Sequence, residues 1–195
     1  MPNKTKVQRF FTISIRLFLG LIFFSSGMAK LLPFPGLIGP VWLEQELAQY
    51  GLAMFARFIA YSQILVGLLL LSQRFATLGA VMLFPLLLNI FMVTVSMNWR
   101  GTPYIIAFLL VLNIYLLLVD FHKLKFLLTD QPAELTRMPL LRRFPKKDVA
   151  WGAAVTLIVA STFVYNLSSI MAYVMIGLGL VSFLIINLLR LEQRQ

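Results

Sequence analysis

One stretch limits this chain more than any other: Ile15 to Leu32, IRLFLGLIFFSSGMAKLL, almost wholly apolar yet bracketed by an arginine and a lysine. Read as a helix, Arg16, Gly20, Phe23, Gly27 and Lys30 follow at steps of four, three, four and three. Residues three and four apart share a helical face, so the five form one stripe. At the helical rise, Arg16 and Lys30 stand about 21 Å apart, most of a bilayer's hydrocarbon thickness. The two glycines between the charges let another helix approach closely. A lipid-length helix with a charged, small-residue seam turns that seam toward other helices.

The remaining sequence calls for the same environment. Of 195 residues, 60% are hydrophobic and 12% charged, and the mean hydropathy is +0.88. Soluble domains do not have this composition. The predicted fold class is all-α, a polytopic membrane helical bundle. A net charge of +10 would suggest nucleic acid in a soluble protein. Here it is explained by the collection of basic residues in cytoplasmic loops, and no nucleic-acid partner is expected. The chain has no cysteine, which excludes a thiol–disulfide relay, a thiolate metal site and structural disulfides. His122 is the one histidine and makes no metal site by itself, so no metal is expected.

Six spans are predicted. Lys4, Lys6 and Arg9 precede the first, which is read as uncleaved because its apolar run is long and carries Arg16. The alternative is a signal peptide cut near Gly27-Met28-Ala29. Prolines and glycines in PFPGLIGP break the helix after Pro33. A short amphipathic loop helix over about residues 40–52 follows, with Trp42, Glu44, Glu46 and Tyr50, lying at the membrane surface. The second span, Phe58 to Ser72, is short for a crossing unless Met54 to Arg57 begin it. The third runs from Phe75 to Ser96 and is kinked by Pro85, with Asn89 placed to satisfy a freed carbonyl. The fourth, Tyr104 to Val119, is closed by Asp120. Ala150 to Tyr165 and Ile170 to Leu189 form the last two, joined by a minimal turn. The domain organisation is thus a four-span bundle over 1–122, a basic loop over 123–148, and a two-span hairpin with a short tail over 149–195.

Charge sets the expected orientation. With the N-terminus inside, thirteen basic residues face the cytoplasm and three, Lys30, Arg57 and Arg100, face outward, leaving Arg16 within its span. The expected location is the bacterial inner membrane with both termini cytoplasmic. Tyrosines and tryptophans fall near the interfaces in the same arrangement. Leu140 to Lys147, LLRRFPKK, carries Arg142, Arg143, Lys146 and Lys147. It reads as a headgroup-binding segment of the inner leaflet, or else as a solvated stretch.

Polar side chains within the spans are functional candidates, each with a plainer alternative. Arg16 lies about two turns, roughly 9 Å, into its span. It either snorkels to the inner headgroups or forms a structural ion pair with Asp120, which ends the fourth span at similar depth. Lys30, Gln63, Asn89 and Arg100 share the outer depth. They can gather into a net-positive pocket for a carbonyl oxygen or small anion, or act only as interhelical glue. Asn113, seven residues before Asp120, reads as a packing contact. The nine methionines and seventeen phenylalanines are lipid-facing or core fill, and a quinone ring would sit among the same side chains.

The first four spans resemble the DoxX family of small bacterial membrane proteins. The likeness is carried by Arg16-Leu17-x-Leu19-Gly20, by Gly27-x-x-Lys30-Leu31 and the proline-rich turn, and by Gln63-x-x-x-Gly67-x-x-Leu70-Leu71 followed by Arg74. Asp120 completes it, over roughly residues 10–122. The chain departs from the family at Gln63, where glutamate is usual; an amide neither shuttles a proton nor fully neutralises Lys30. The resemblance implies an accessory or anchoring subunit of a quinone-linked redox or other membrane complex, with other membrane subunits and the lipid bilayer as partners. It implies no covalent cofactor, and quinone as the one candidate ligand. The alternatives are a scaffold or assembly factor without redox chemistry and, less supported for want of visible repeats, a small-solute transporter. No catalytic residue is expected.

Overall fold

The computed structural model describes residues 6–32, 43–73, 75–124, 146–165 and 167–192, all helix or turn with no strand among them. The chain divides into two compact units, Met1–Thr129 and Asp130–Gln195. The first holds α1 (Lys6–Leu31), α2 (Leu43–Ala48), α3 (Ala53–Leu71), α4 (Ala76–Ser96), α5 (Thr102–Val119) and α6 (Phe121–Leu124). The second holds α7 (Lys146–Val164) and α8 (Ser169–Glu192). The proline-rich turn at 33–40, Trp42, Arg74 and most of the basic loop lie outside the described residues.

Glycines bring α1 and α3 into antiparallel contact. A Cβ on Gly27 would stand 2.7 Å from the Ala60 carbonyl oxygen and 2.9 Å from the Ile64 nitrogen. At the other end of the seam, Gly20 lies against Leu71 and Gly67, and a Cβ on Gly67 would stand 2.6 Å from the Phe24 nitrogen. Backbone meets backbone here. Helices in lipid gain little hydrophobic drive from associating with one another, so close van der Waals contact through small residues supplies the attraction. Leu19, Phe23, Ile59, Leu70, Leu83, Leu87, Leu109 and Leu116 fill the core around this seam.

The element boundaries follow the chemistry of the ends. Helix α3 begins at Ala53, so Met54 to Arg57 do extend the second span to crossing length. Helix α2 runs Leu43–Ala48 and stops short of residue 52, because Gln49 to Gly51 form a turn with Gly51 at φ +72°; residues 40–42 lie outside the described residues. Its Leu47 is buried in the core, and Glu44 accepts a hydrogen bond from Arg57 Nε at 2.7 Å. Helix α4 continues through Pro85. The Asn89 side chain donates to Pro85's own carbonyl at 2.9 Å, and not to the Val81 carbonyl that the missing proline N–H leaves free.

Among the described residues, four helices are long and apolar enough to cross a membrane: Val7–Leu31, Ala53–Leu71, Ala76–Ser96 and Thr102–Val119. Val149–Val164 and Ser169–Ile185 are shorter apolar helices. Helices α4 and α5 expose Met92, Phe108, Val111 and Leu118, as lipid-facing helices do. In the second unit α7 and α8 form an antiparallel hairpin. Gly179 sits where a Cβ would meet Ile158 Cγ1 at 2.6 Å, and the rings of Tyr165 and Tyr173 meet edge to face near the turn.

Candidate functional site

Lys30 occupies the last turn of α1, and its Cβ, like every helical Cβ, tilts toward the N-terminus. The side chain follows that tilt. Its Nζ donates to the Ser26 carbonyl at 3.0 Å, to Ser26 Oγ at 2.7 Å and to Gln63 Oε1 on α3 at 3.0 Å. The ammonium is therefore carried one turn back toward the middle of its helix, the reverse of snorkelling to the helix end. All three acceptors are neutral, and no carboxylate pairs with Lys30 among the described residues. An ammonium has only donors, so the Gln63 amide must offer its oxygen and turn its NH2 group away. Gln63 is 4% exposed, and its Nε2 meets no acceptor among the described residues.

Beside this pair lies a cavity between α1, α3, α4 and α5. Its polar lining is Ser26, Lys30, Gln63, Thr94, Trp99 and Thr102, and its walls include Phe23, Ile59 and Ile106. It has about 40 Å³ of room for water-sized groups. Asn89 and Arg100 do not join it: both are exposed, the first spent on the Pro85 carbonyl and the second in the turn between α4 and α5. The inward face of α4 runs through Leu83, Leu87, Ile90 and Thr94, and Asn89 falls off that stripe. Sequence reasoning missed Ser26, Thr94, Trp99 and Thr102. Only Ser26 was within reach, since it stands four residues before Lys30 on the same face.

A second polar cluster holds the opposite end of the bundle. Arg16 Nη2 on α1 donates to Asp120 Oδ2 at the end of α5, and Thr77 Oγ1 on α4 donates to the same oxygen at 2.9 Å. One carboxylate thus joins three helices. The side chains of Arg16 and Asp120 are 12% and 1% exposed. About two turns nearer the middle of the bundle, Asn113 is fully buried and donates to the Ala80 carbonyl at 3.0 Å, tying α5 to α4. This cluster holds helices together and takes no part in the cavity beside Lys30. Among the described residues no group of acidic, histidine or cysteine side chains can hold a metal. Arg142 and Arg143 lie outside the described residues, as do the side chains of Lys146 and Lys147 at the start of α7.

Fold and site together define a class: a small helical membrane bundle, closed by a glycine seam and held by a buried polar cluster at each end. The chain belongs to the DoxX family, whose model matches residues 11–97. It is similar to the uncharacterized protein YwoB of Bacillus subtilis (strain 168), at 30% identity over 139 residues, covering 66% of this chain and 88% of that protein. No solved structure matches it. The family match takes in the glycine seam, Lys30 and Gln63 but ends at residue 97. Helix α5, with Asn113 and Asp120, lies beyond it, although the resemblance read from the residues runs to 122.

Proposed function

We propose that this DoxX-family protein is an accessory or anchoring subunit of a quinone-linked redox or other membrane protein complex. One observation carries the reading: Arg16, Asp120, Lys30, Gln63 and Asn113, set between its helices, are each held by a bond to a neighbouring helix. Arg16 is bound to Asp120, Lys30 to Ser26 and Gln63, and Asn113 to a backbone carbonyl. Such groups hold helices in place and leave no nucleophile and base poised for chemistry. The exposed apolar faces of α4, α5 and α8 offer partner helices a surface. The cavity of about 40 Å³ takes a carbonyl oxygen, whereas a cavity that binds even benzene measures about 150 Å³. Its size supports anchoring over quinone binding within this chain, and it favours the scaffold without redox chemistry as the second reading. The charge distribution supports six spans in the bacterial inner membrane with both termini cytoplasmic.

The test is purification of the tagged protein in mild detergent, with identification of bound proteins and extraction of quinone. Other membrane subunits should accompany it in fixed ratio. Quinone in that complex selects the redox assembly, and its absence selects the scaffold. A chain recovered alone from its native membrane at native expression refutes both.

A further inference from the structure

The geometry points to a binding site for one small monovalent anion, of halide or formate size, in the cavity beside Lys30 and Gln63. The site is independent of the anchoring role proposed above. Four observations converge on it. The Lys30 nitrogen is held by three oxygens, matching the three N–H groups of an ammonium, and every one of those oxygens is neutral. No acidic residue lines the cavity. A cation taken from water into a helical bundle is costly unless a counter-charge accompanies it, and among the described residues the chain supplies none there. Of the two acidic residues on the adjoining loop helix, Glu44 is held by Arg57 and Glu46 does not line the cavity.

The second observation is the Gln63 amide. Its oxygen is committed to Lys30, and its NH2 group, on a side chain 4% exposed, is left with no acceptor among the described residues. The amide that carries these two N–H groups lines the cavity. Third, Thr102 and Ile106 bring the first turn of α5 to the same cavity. That helix has eighteen residues, no acidic residue in its first turn and no side-chain cap at Gly101. Pro103 has no N–H and Ile105 donates to the Gly101 carbonyl, so the N–H groups of Thr102 and Tyr104 and the helix dipole are what favour negative charge. Fourth is size. The room of about 40 Å³ for water-sized groups is a few times the roughly 10–15 Å³ that one water needs. A halide or formate fits; a sugar acid or a ring does not.

The test uses the full chain in detergent and follows thermal unfolding as sodium chloride or sodium formate replaces sodium gluconate at constant ionic strength. Tm should rise and saturate with chloride and formate, by about 3–6 °C at ten times the Kd, and not with gluconate. Gln63→Glu should abolish the response and unfold, without added anion, near the anion-saturated wild-type temperature, because its carboxylate takes the anion's place beside Lys30. Lys30→Met should also be flat. A wild-type Tm indifferent to the exchange overturns the site, as does an equal rise in gluconate. So does a response that survives in Gln63→Glu. A Gln63→Glu chain that fails to fold overturns it too, since a negative charge at that place is what the site is built to hold; that arm decides even if Lys30→Met is not recovered.

Discussion

Gly67→Ala tests the seam between α1 and α3 where backbone lies on backbone. The added Cβ would stand 2.6 Å from the Phe24 nitrogen and 2.8 Å from its Cα, against an optimum near 3.5–4.0 Å, so it intrudes by about 1 Å. The atoms it meets belong to the backbone of α1 and cannot rotate aside. The two helices must therefore part along a seam that also depends on Gly20 and Gly27. Overpacking of this kind costs about 1–3 kcal/mol, and alanine's better helix propensity offsets about 1 kcal/mol of it. With backbone on the receiving side, the expected net loss is about 1–2 kcal/mol, or a fall in Tm of about 2–8 °C for a chain of this size. Gly152→Ala is the control, because nothing lies within 4 Å of the Cβ it adds; it should gain up to about 1 kcal/mol. Thermal unfolding of both variants in the same detergent makes the comparison. If Gly67→Ala is as stable as the unaltered protein, the seam is not close-packed and the account of how α1 and α3 associate is wrong.

Asp120→Asn leaves Arg16 buried without its counter-charge and should cost about 3–5 kcal/mol, whereas Arg16→Met combined with Asp120→Leu should recover most of the loss. Denaturation of the two variants reads this, and a neutral Asp120→Asn would reject the pairing. Because the chain has no cysteine, single-cysteine labelling reads topology cleanly. Glu44→Cys should react with an impermeant maleimide from outside and Arg143→Cys only after permeabilisation; the reverse pattern rejects the proposed orientation. A peptide of residues 140–147 should bind anionic vesicles at low salt through its four basic residues, at about 1 kcal/mol each. Equal binding to neutral vesicles would show that the segment is merely solvated.

Much of the bundle was legible before any coordinates. Span lengths follow from apolar runs, and the seam follows from Gly20 and Gly27 recurring at helical spacing between Arg16 and Lys30. Depth was legible too, since rise per residue places Arg16 level with Asp120 and Lys30 level with Gln63. Rotation about each helix axis was not. Helices α4 and α5 are apolar on every side, so their hydrophobic pattern does not tell which face turns inward. Only packing decided that Leu83, Leu87, Ile90 and Thr94 face the bundle while Asn89 faces out, and that Thr102 and Trp99, and not Arg100, close the cavity. The backward fold of Lys30 onto Ser26 likewise needed its acceptors in place. In water an apolar face must be hidden, and sequence therefore reports it. In lipid both faces are at home, and the choice between them falls to small residues, close contacts and the few polar groups that must find one another.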